Sequence, residues 1–307
     1  MVTSATVRVP AKINLCLGVG PARPDGFHPL ATVYQAVDLH DEVRASVRDD
    51  ETVTVSVNTA LDVHAEDSAV PEDESNLAVR AVRALQRVSG VTDGVDLAIR
   101  KAIPVAGGMA GGSADAAAAL VACNELWGLG MSKLDLEPVA AQLGSDVPFL
   151  LHGGNAVGSG RGETISPVLG RGTFHWVFAT ASEGLSTAEV YAQFDRLAEG
   201  REVPDPEVPD ALLGALRTGD AELLGTQLSN DLTPAALSLR PELGDTLSIG
   251  LEAGALGAII SGSGPTCLFL VEHEQHGLDV AIAINSVATC ADVIASTGPV
   301  PGARLIS

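Results

Sequence analysis

The stretch Pro104-Val-Ala-Gly-Gly-Met-Ala-Gly-Gly-Ser-Ala-Asp-Ala-Ala-Ala-Ala-Leu-Val-Ala-Cys-Asn-Glu-Leu-Trp127 decides how the rest of the chain is read. Gly107, Gly108, Gly111 and Gly112 crowd into six positions, and Ser113 opens an alanine-rich run. Glycine admits positive φ and lets backbone N–H groups come close to a ligand. Ala, Leu and Glu favour helix, with Ser113 reading as its N-cap and Gly128 as its stop. A glycine loop feeding a helix N-terminus is a ready anion site, because unpaired N–H groups and about half a positive charge point the same way. Two well-known phosphate loops are excluded. The G-x-x-x-x-G-K-[ST] template fits at Gly107 and Gly112 but then meets Ser113 and Ala114. Residues 107–112 do not spell G-x-G-x-x-G either. What remains is an anion loop of another kind, or a flexible turn between a strand and a buried helix.

The 307 residues suit one large or two medium domains. A hydrophobic fraction of 46% is ample for a core, but with only 3% aromatic residues the packing must be aliphatic and alanine-based. A formal charge of −21 argues against nucleic acid and anionic membranes as partners, so neither is expected. It also means that a bound phosphate needs local cations, Mg²⁺ among them. Cys16, Cys123, Cys267 and Cys290 stand apart with no C-x-x-C pair, so each reads as a small buried apolar residue. Lys12 and Asn14 interrupt any signal-peptide pattern, and a cytoplasmic protein is expected. The uncharged run Ala253–Val271 raises the transmembrane question, but its glycines, hydroxyl residues and Pro265 read as strand, turn, strand.

Along the chain, Val7 and Val9, then Ile13, Leu15 and Leu17, predict a strand with an irregularity at Pro10-Ala11-Lys12. Lys12 and Asn14 lie two apart and share a face, as an exposed pair or facing a polar cleft. Arg23–Pro29 is a turn cluster; Phe27 and His28 are either core and surface, or two rings for a base. Val53, Val55 and Val57 predict a strand, 62–75 an acidic surface loop, and Leu77, Ala81, Val82, Leu85 and Val88 a helical stripe ended at Ser89-Gly90. Val95, Leu97 and Ile99 predict the strand that delivers the chain into the glycine loop. A short helix follows around Leu136–Leu143. Asp146 then reads as a helix cap or Asx-turn residue, or as a base at the mouth of a cleft. Gly-rich 153–162 predicts a tight strand connection, 175–180 a strand, 203–209 a Pro/acidic loop, and Ile259–Val271 two strands about a glycine turn. Strands alternate with helices without an internal repeat, so the class is α/β or α+β. Phosphate-type features fade near residue 160, which suggests domains of 1–160 and 161–307.

Three segments together resemble the GHMP kinases, the superfamily of galactokinase, homoserine kinase and mevalonate kinase. They are Pro-Ala-Lys-Ile-Asn-Leu at 10–15, Gly-Gly-Met-Ala-Gly-Gly-Ser-Ala at 107–114 and Ser-Gly-Ser-Gly-Pro-Thr at 261–266. Within the superfamily, Asp25-Gly-Phe-His28, Gly144-Ser-Asp-Val-Pro-Phe149 and Asn230-Asp-Leu232 resemble the branch acting on a cytidyl diphosphate substrate. The resemblance implies an N-terminal ATP-binding lobe and a C-terminal lobe with the two substrates meeting in the cleft between them. It implies ATP phosphates on Pro104, Val105, Ala106, Gly107, Gly108, Met109, Ala110, Gly111, Gly112, Ser113 and Ala114. It makes Asp146 the base and Lys12 its partner, and places Asn14 and Thr187 against the substrate's diphosphate or polyol portion. His28 would read the cytosine edge, with Phe27 and Tyr191 sandwiching the base. The family often has Tyr at position 27; Phe27 keeps the stacking face and loses the hydroxyl. Mg²⁺ would bridge the β- and γ-phosphates, and no acidic residue is singled out as its ligand. A monomer or weak homodimer is expected. The alternatives are another small-molecule kinase such as a homoserine kinase, or a nucleotide-binding regulator without catalysis.

Overall fold

In the computed structural model, which describes residues 2–59, 70–287 and 290–307, the alternating apolar residues of the N-terminus form β1 (Ser4–Val19). It runs antiparallel to β2 (Leu30–Val47), and the register slips between Pro10 and Ala11 and again between Asn14 and Cys16. Pro10 has no N–H for the ladder, so a break belongs there. The segment between the slips is buried on both faces, with Ala11, Ile13 and Leu15 on one side and Lys12 and Asn14 on the other.

β3 (Val53–Thr59) and β4 (Val95–Lys101) pair in parallel, joined through α1 (Leu77–Ser89). Asn76 caps α1 by accepting from the Ala78 N–H, and Gly90, at φ 77, closes it. The expected apolar stripe is buried at Ala81, Val82 and Leu85, but Val88 is 61% exposed at the fraying end. Of the expected acidic loop, residues 62–69 lie outside the described residues.

The alanine-rich run becomes α2 (Gly111–Leu126), buried nearly all round between α1 and the strands β1 and β2. Alanines on every side let the helix approach both neighbours closely; a helix apolar all round belongs inside. α3 (Lys133–Leu143) starts from a Ser132/Asp135 capping box. α4 (Val147–His152) and the hairpin of β5 (Asn155–Ser159) and β6 (Thr164–Val168) follow, with β5 paired to the first half of β2. The 160/161 division falls in the turn of this hairpin, and both its strands belong to the first sheet.

The second sheet has the order β11-β7-β10-β9 and is antiparallel throughout. Its strands are β7 (Phe174–Thr180), β9 (Gly257–Ile260), β10 (Cys267–Val271) and β11 (Asp292–Gly298). Between β7 and β9 run α5 (Thr187–Ala198), α6 (Asp210–Thr218), α7 (Ala221–Gln227), α8 (Thr233–Leu239) and α9 (Glu242–Glu252); α10 (Glu274–Val287) precedes β11. Two short strands, β8 (Ser229–Asn230) and β12 (Arg304–Leu305), return to pair with β1. The sheets are tied across by Trp176, whose Nε1 donates to Gln35 Oε1 at 2.8 Å.

The uncharged run 253–271 is the strand–turn–strand expected, and among the described residues no helix is long and apolar enough to cross a membrane. Cys16, Cys123 and Cys267 are buried; Cys290 is only half-buried, two residues before β11.

Candidate active site

β1 delivers two polar side chains into an otherwise apolar layer. Lys12 and Asn14 are 5% and 2% exposed, and their burial is made tolerable by pairing: Lys12 Nζ donates to Asn14 Oδ1 at 2.8 Å. Asn14 Nδ2 in turn donates to Thr32 Oγ1 at 2.7 Å, which fixes the amide. From the far side comes Asp146, whose Oδ2 lies 3.7 Å from Lys12 Nζ. Asp146 occupies the cap position of α4, yet its side chain makes no capping hydrogen bond, so the helix-cap reading is set aside. Tyr34 of β2 completes the group, with Lys12 Nζ 5.5 Å from its ring centre. Burial and the neighbouring Asp146 carboxylate push the Tyr34 phenol well above its ordinary pKa, so it stays protonated.

These residues line one wall of a cleft of about 1080 Å³ between the sheets, and the glycine loop lines another. The loop's positive φ values fall on Ala106, Gly108 and Ala110, at 53°, 75° and 59°. Alternating the sign of φ turns successive N–H groups toward one concavity, an anion-binding nest. Two of the three are alanines, a strained choice of the kind found at ligand-holding loops. The helix starts at Gly111 with Ala110 as its cap, not at Ser113; no side chain caps it, and its first residues, Gly111 to Ser113, line the cleft. Pro104, Ala106, Gly107, Gly108 and Ala110 to Ser113 line the cleft. Met109 and Ala114 do not; both are fully buried, anchoring the loop in the core. Val105 is partly exposed outside the cleft lining.

The turn 261–266 is pressed against this loop. Ser261 Oγ donates to Gly108 O at 3.1 Å, and a side chain on Gly262 would crowd the same carbonyl at 3.2 Å. Asn230 holds the turn, its Nδ2 donating to the carbonyls of Ile260 and Gly262 at 2.8 and 2.7 Å. Thr187, at the start of α5, is hydrogen-bonded to Ser263 at 2.9 Å, its hydroxyl facing the cleft.

At the opposite end, His28 is buried rather than on the surface, and Phe27 is 49% exposed rather than core. His28 Nδ1 lies 2.9 Å from Gly20 O; in the neutral ring Nδ1–H donates there and Nε2 is left as an acceptor. Tyr191 lies against His28 with ring centres 5.2 Å apart, and Asp195 Oδ1 stands 3.6 Å from Nε2. Phe27 carries the Arg161 guanidinium over its ring at 4.7 Å.

Residues 76–154 match the family model for the GHMP kinases N terminal domain, and residues 212–288 that for GHMP kinases C terminal. A 4-diphosphocytidyl-2-C-methyl-D-erythritol kinase of Thermobifida fusca is 54% identical over 307 residues, spanning 99% of each chain. The chain belongs to the GHMP kinases. A like-named kinase of Streptomyces avermitilis is 52% identical over 303 residues, 99% of this chain and 100% of its own. A crystal structure of 4-(cytidine 5'-diphospho)-2C-methyl-D-erythritol kinase superposes with TM-score 0.74 at 29% identity, covering 95% of this chain and 98% of that one. A homoserine kinase from Cytophaga hutchinsonii superposes with TM-score 0.76 at 21% identity, covering 100% and 98%. The GHMP kinase fold alone therefore does not separate one acceptor alcohol from another. Substrate choice has to be read from side chains, and Lys12, Asn14, His28, Thr187 and Tyr191 all lie outside the two matched segments.

Tyr34, Arg161 and Asp195 are cleft residues of this GHMP kinase that sequence reasoning passed over. Tyr34 sits opposite Asn14 in the β1–β2 register, so only the pairing of strands exposes its place. Arg161 follows a run of glycines and Asp195 lies one helical turn after Tyr191, spacings that carry a signal only once the cleft is known.

Proposed function

We propose that this GHMP kinase transfers the γ-phosphoryl group of ATP to the 2-hydroxyl of 4-diphosphocytidyl-2-C-methyl-D-erythritol, giving the 2-phosphate and ADP, a step of non-mevalonate isoprenoid precursor synthesis. The observation that carries it is the meeting of Lys12 and Asp146, 3.7 Å apart, in the cleft that is also lined by the glycine loop with its positive φ at residues 106, 108 and 110. Lobes of 1–160 and 161–307 belong to the same proposal.

The loop from Pro104 to Ser113 seats the ATP phosphates, and the N-terminus of α2 adds its positive end. Asp146 takes the proton as the alcohol oxygen forms its bond to the γ-phosphorus and the bond to the β-phosphate oxygen breaks. Lys12, with Asn14 holding it, offsets the negative charge that gathers on the transferring group. Asn14 and Thr187 position the acceptor's diphosphate or polyol portion. At the far end, His28 reads the cytosine edge, and the Asp195 carboxylate beside its ring presents an acceptor that suits the exocyclic amine of cytosine and not the carbonyl of uracil. Phe27 and Tyr191 flank the base.

The phosphate end offers one carboxylate, Asp146, and the Ser113 hydroxyl, and among the described residues no three His, Cys, Asp or Glu side chains converge. That donor set fits Mg²⁺ brought in on ATP, since Mg²⁺ is commonly held by one or two carboxylates together with substrate phosphates. Such an ion would neutralise negative charge on the phosphates during transfer.

The test is a substrate panel with ATP. ADP release with the cytidyl substrate and none with homoserine is expected. Transfer to homoserine alone would install the other reading, and no ATP consumption with any acceptor would leave only a binding role.

A further inference from the structure

Beneath the phosphate loop, outside the cleft, lie three charged side chains that the reaction does not use. Lys101 ends β4, Asp41 comes from β2 and Asp115 from the second turn of α2; their side chains are 3%, 0% and 3% exposed. Lys101 Nζ donates to Asp115 Oδ2 at 2.8 Å and also to Asp41 Oδ2. Asp41 Oδ1 accepts the N–H groups of Ala102 and Ile103 at 2.6 and 2.9 Å, the first residues after β4. The ammonium sits directly under Gly111, where a side chain would come within 3.0 Å of it.

Burying three ionisable groups is unfavourable unless each is paired, and an apolar set of similar volume would hold the core as well or better. Their placement supplies what an apolar set would not. Asp41 grips the chain where it enters the loop, Asp115 lies just past where it leaves, and Lys101 joins the two. We propose that Lys101, Asp41 and Asp115 form a clamp across the two ends of the phosphate loop, acting as positioning residues that set the affinity for ATP. The inference rests on the reading of this loop as the ATP seat.

Charge supports it. Two aspartates and one lysine would leave a net negative charge directly beneath a polyphosphate. Burial pushes Asp115 up to about 8, against the pull of Lys101 and with the Asp41 charge adding to the rise. Burial also works against the Lys101 charge, but Asp115 and Asp41 outweigh it and hold Lys101 above its ordinary value. These three groups, from β4, β2 and α2, are the ones that face one another there. The upward push lets Asp115 hold a proton more readily than an exposed aspartate does, which lowers the negative charge under the phosphates. Asp115 Oδ1 has no partner in the protein.

The test measures ATP binding by calorimetry, without the acceptor, on the full chain and on Asp115→Ala and Asp115→Asn, alongside melting curves and both KM values. Asp115→Ala should weaken ATP binding about tenfold to a hundredfold, the scale on which lost positioning is felt, with the acceptor KM moved less than about twofold. Asp115→Asn supplies the neutral form permanently. It should bind ATP within about threefold of the wild type at pH 7 and lose the decline in affinity that the wild type shows as pH rises past about 8. A folded Asp115→Ala binding ATP as tightly as the wild type would overturn the clamp. So would equal losses for both substrates, which mark a merely structural role. Should Asp115→Ala not fold, Asp115→Asn decides alone: a pH profile superimposable on the wild type's overturns the proposal. Wild-type protein that binds no ATP would instead remove the reading of the loop itself, and the clamp with it.

Discussion

Asp146 stands where a helix cap belongs, yet its carboxylate caps nothing and faces Lys12 instead. A side chain that forgoes its local hydrogen bond serves something other than the helix. The Asp146→Asn variant keeps the shape and removes the proton acceptor. It should fold with an unchanged melting temperature and lose about 10²- to 10⁴-fold in kcat, the usual scale for a general base, with both KM values within about threefold. Ordinary turnover would relieve Asp146 of the role. Lys12→Ala should also cripple kcat, but less cleanly, because it leaves Asn14 Oδ1 without its donor inside the protein. A melting curve on that variant separates the lost charge from the lost fold.

The glycine loop shows how one element can be read partly and not wholly from its residues. Gly108 and Gly112 look alike in the sequence. At Gly108 the backbone has φ 75 and a side chain would collide with the carbonyl of Ser261, so only glycine serves. At Gly112, within α2, a side chain would meet nothing within 4 Å in the protein, because that direction is the open cleft. Gly112→Ala should therefore stabilise the fold by about 0.5–1 kcal/mol, as Ala replacing Gly in a helix does. Its methyl group would stand where the phosphates are proposed to lie, and the ATP KM should rise while the acceptor KM holds. A variant both more stable and unchanged in ATP KM would move the phosphates elsewhere. The strand alternation, the α2 run and its stop at Gly128 were legible because they are local properties of spacing and propensity. The start of α2 was not, since Ser113 is a good cap by propensity and loses to Ala110, a residue whose left-handed backbone at φ 59 no propensity scale would favour. Tyr34, the buried His28 and the Lys101 cluster were equally hidden, because each is defined by partners more than ten residues away or on another strand. The two-residue strands β8 and β12 exist only through β1.

At the scale of the whole molecule, the proposed reaction asks a chain of charge −21 to take up two polyanionic substrates. Its long-range field repels nucleic acid and anionic lipid, and would repel these substrates too unless cations are concentrated where they land. Among the described residues lining the cleft, two carry a fixed positive charge: Lys12 at the phosphate end and Arg161 toward the base end. Lys12 is engaged with Asn14 and Asp146. The Arg161 guanidinium lies 4.7 Å from the centre of the Phe27 ring, and its Nε is 3.8 Å from the Glu163 carboxylate, a loose pairing that leaves the guanidinium donors available. A diphosphate attached to a base beside Phe27 therefore meets Arg161 first. Arg161→Ala should raise the KM for the cytidyl substrate about tenfold or more, the worth of one hydrogen bond to a charged group, with the ATP KM and kcat held within about twofold. Arg161→Lys keeps the charge without the planar fork and should fall between the two. Equal KM values in wild type and Arg161→Ala would mean that the diphosphate is neutralised elsewhere, and would tie substrate capture to Lys12 and backbone amides alone.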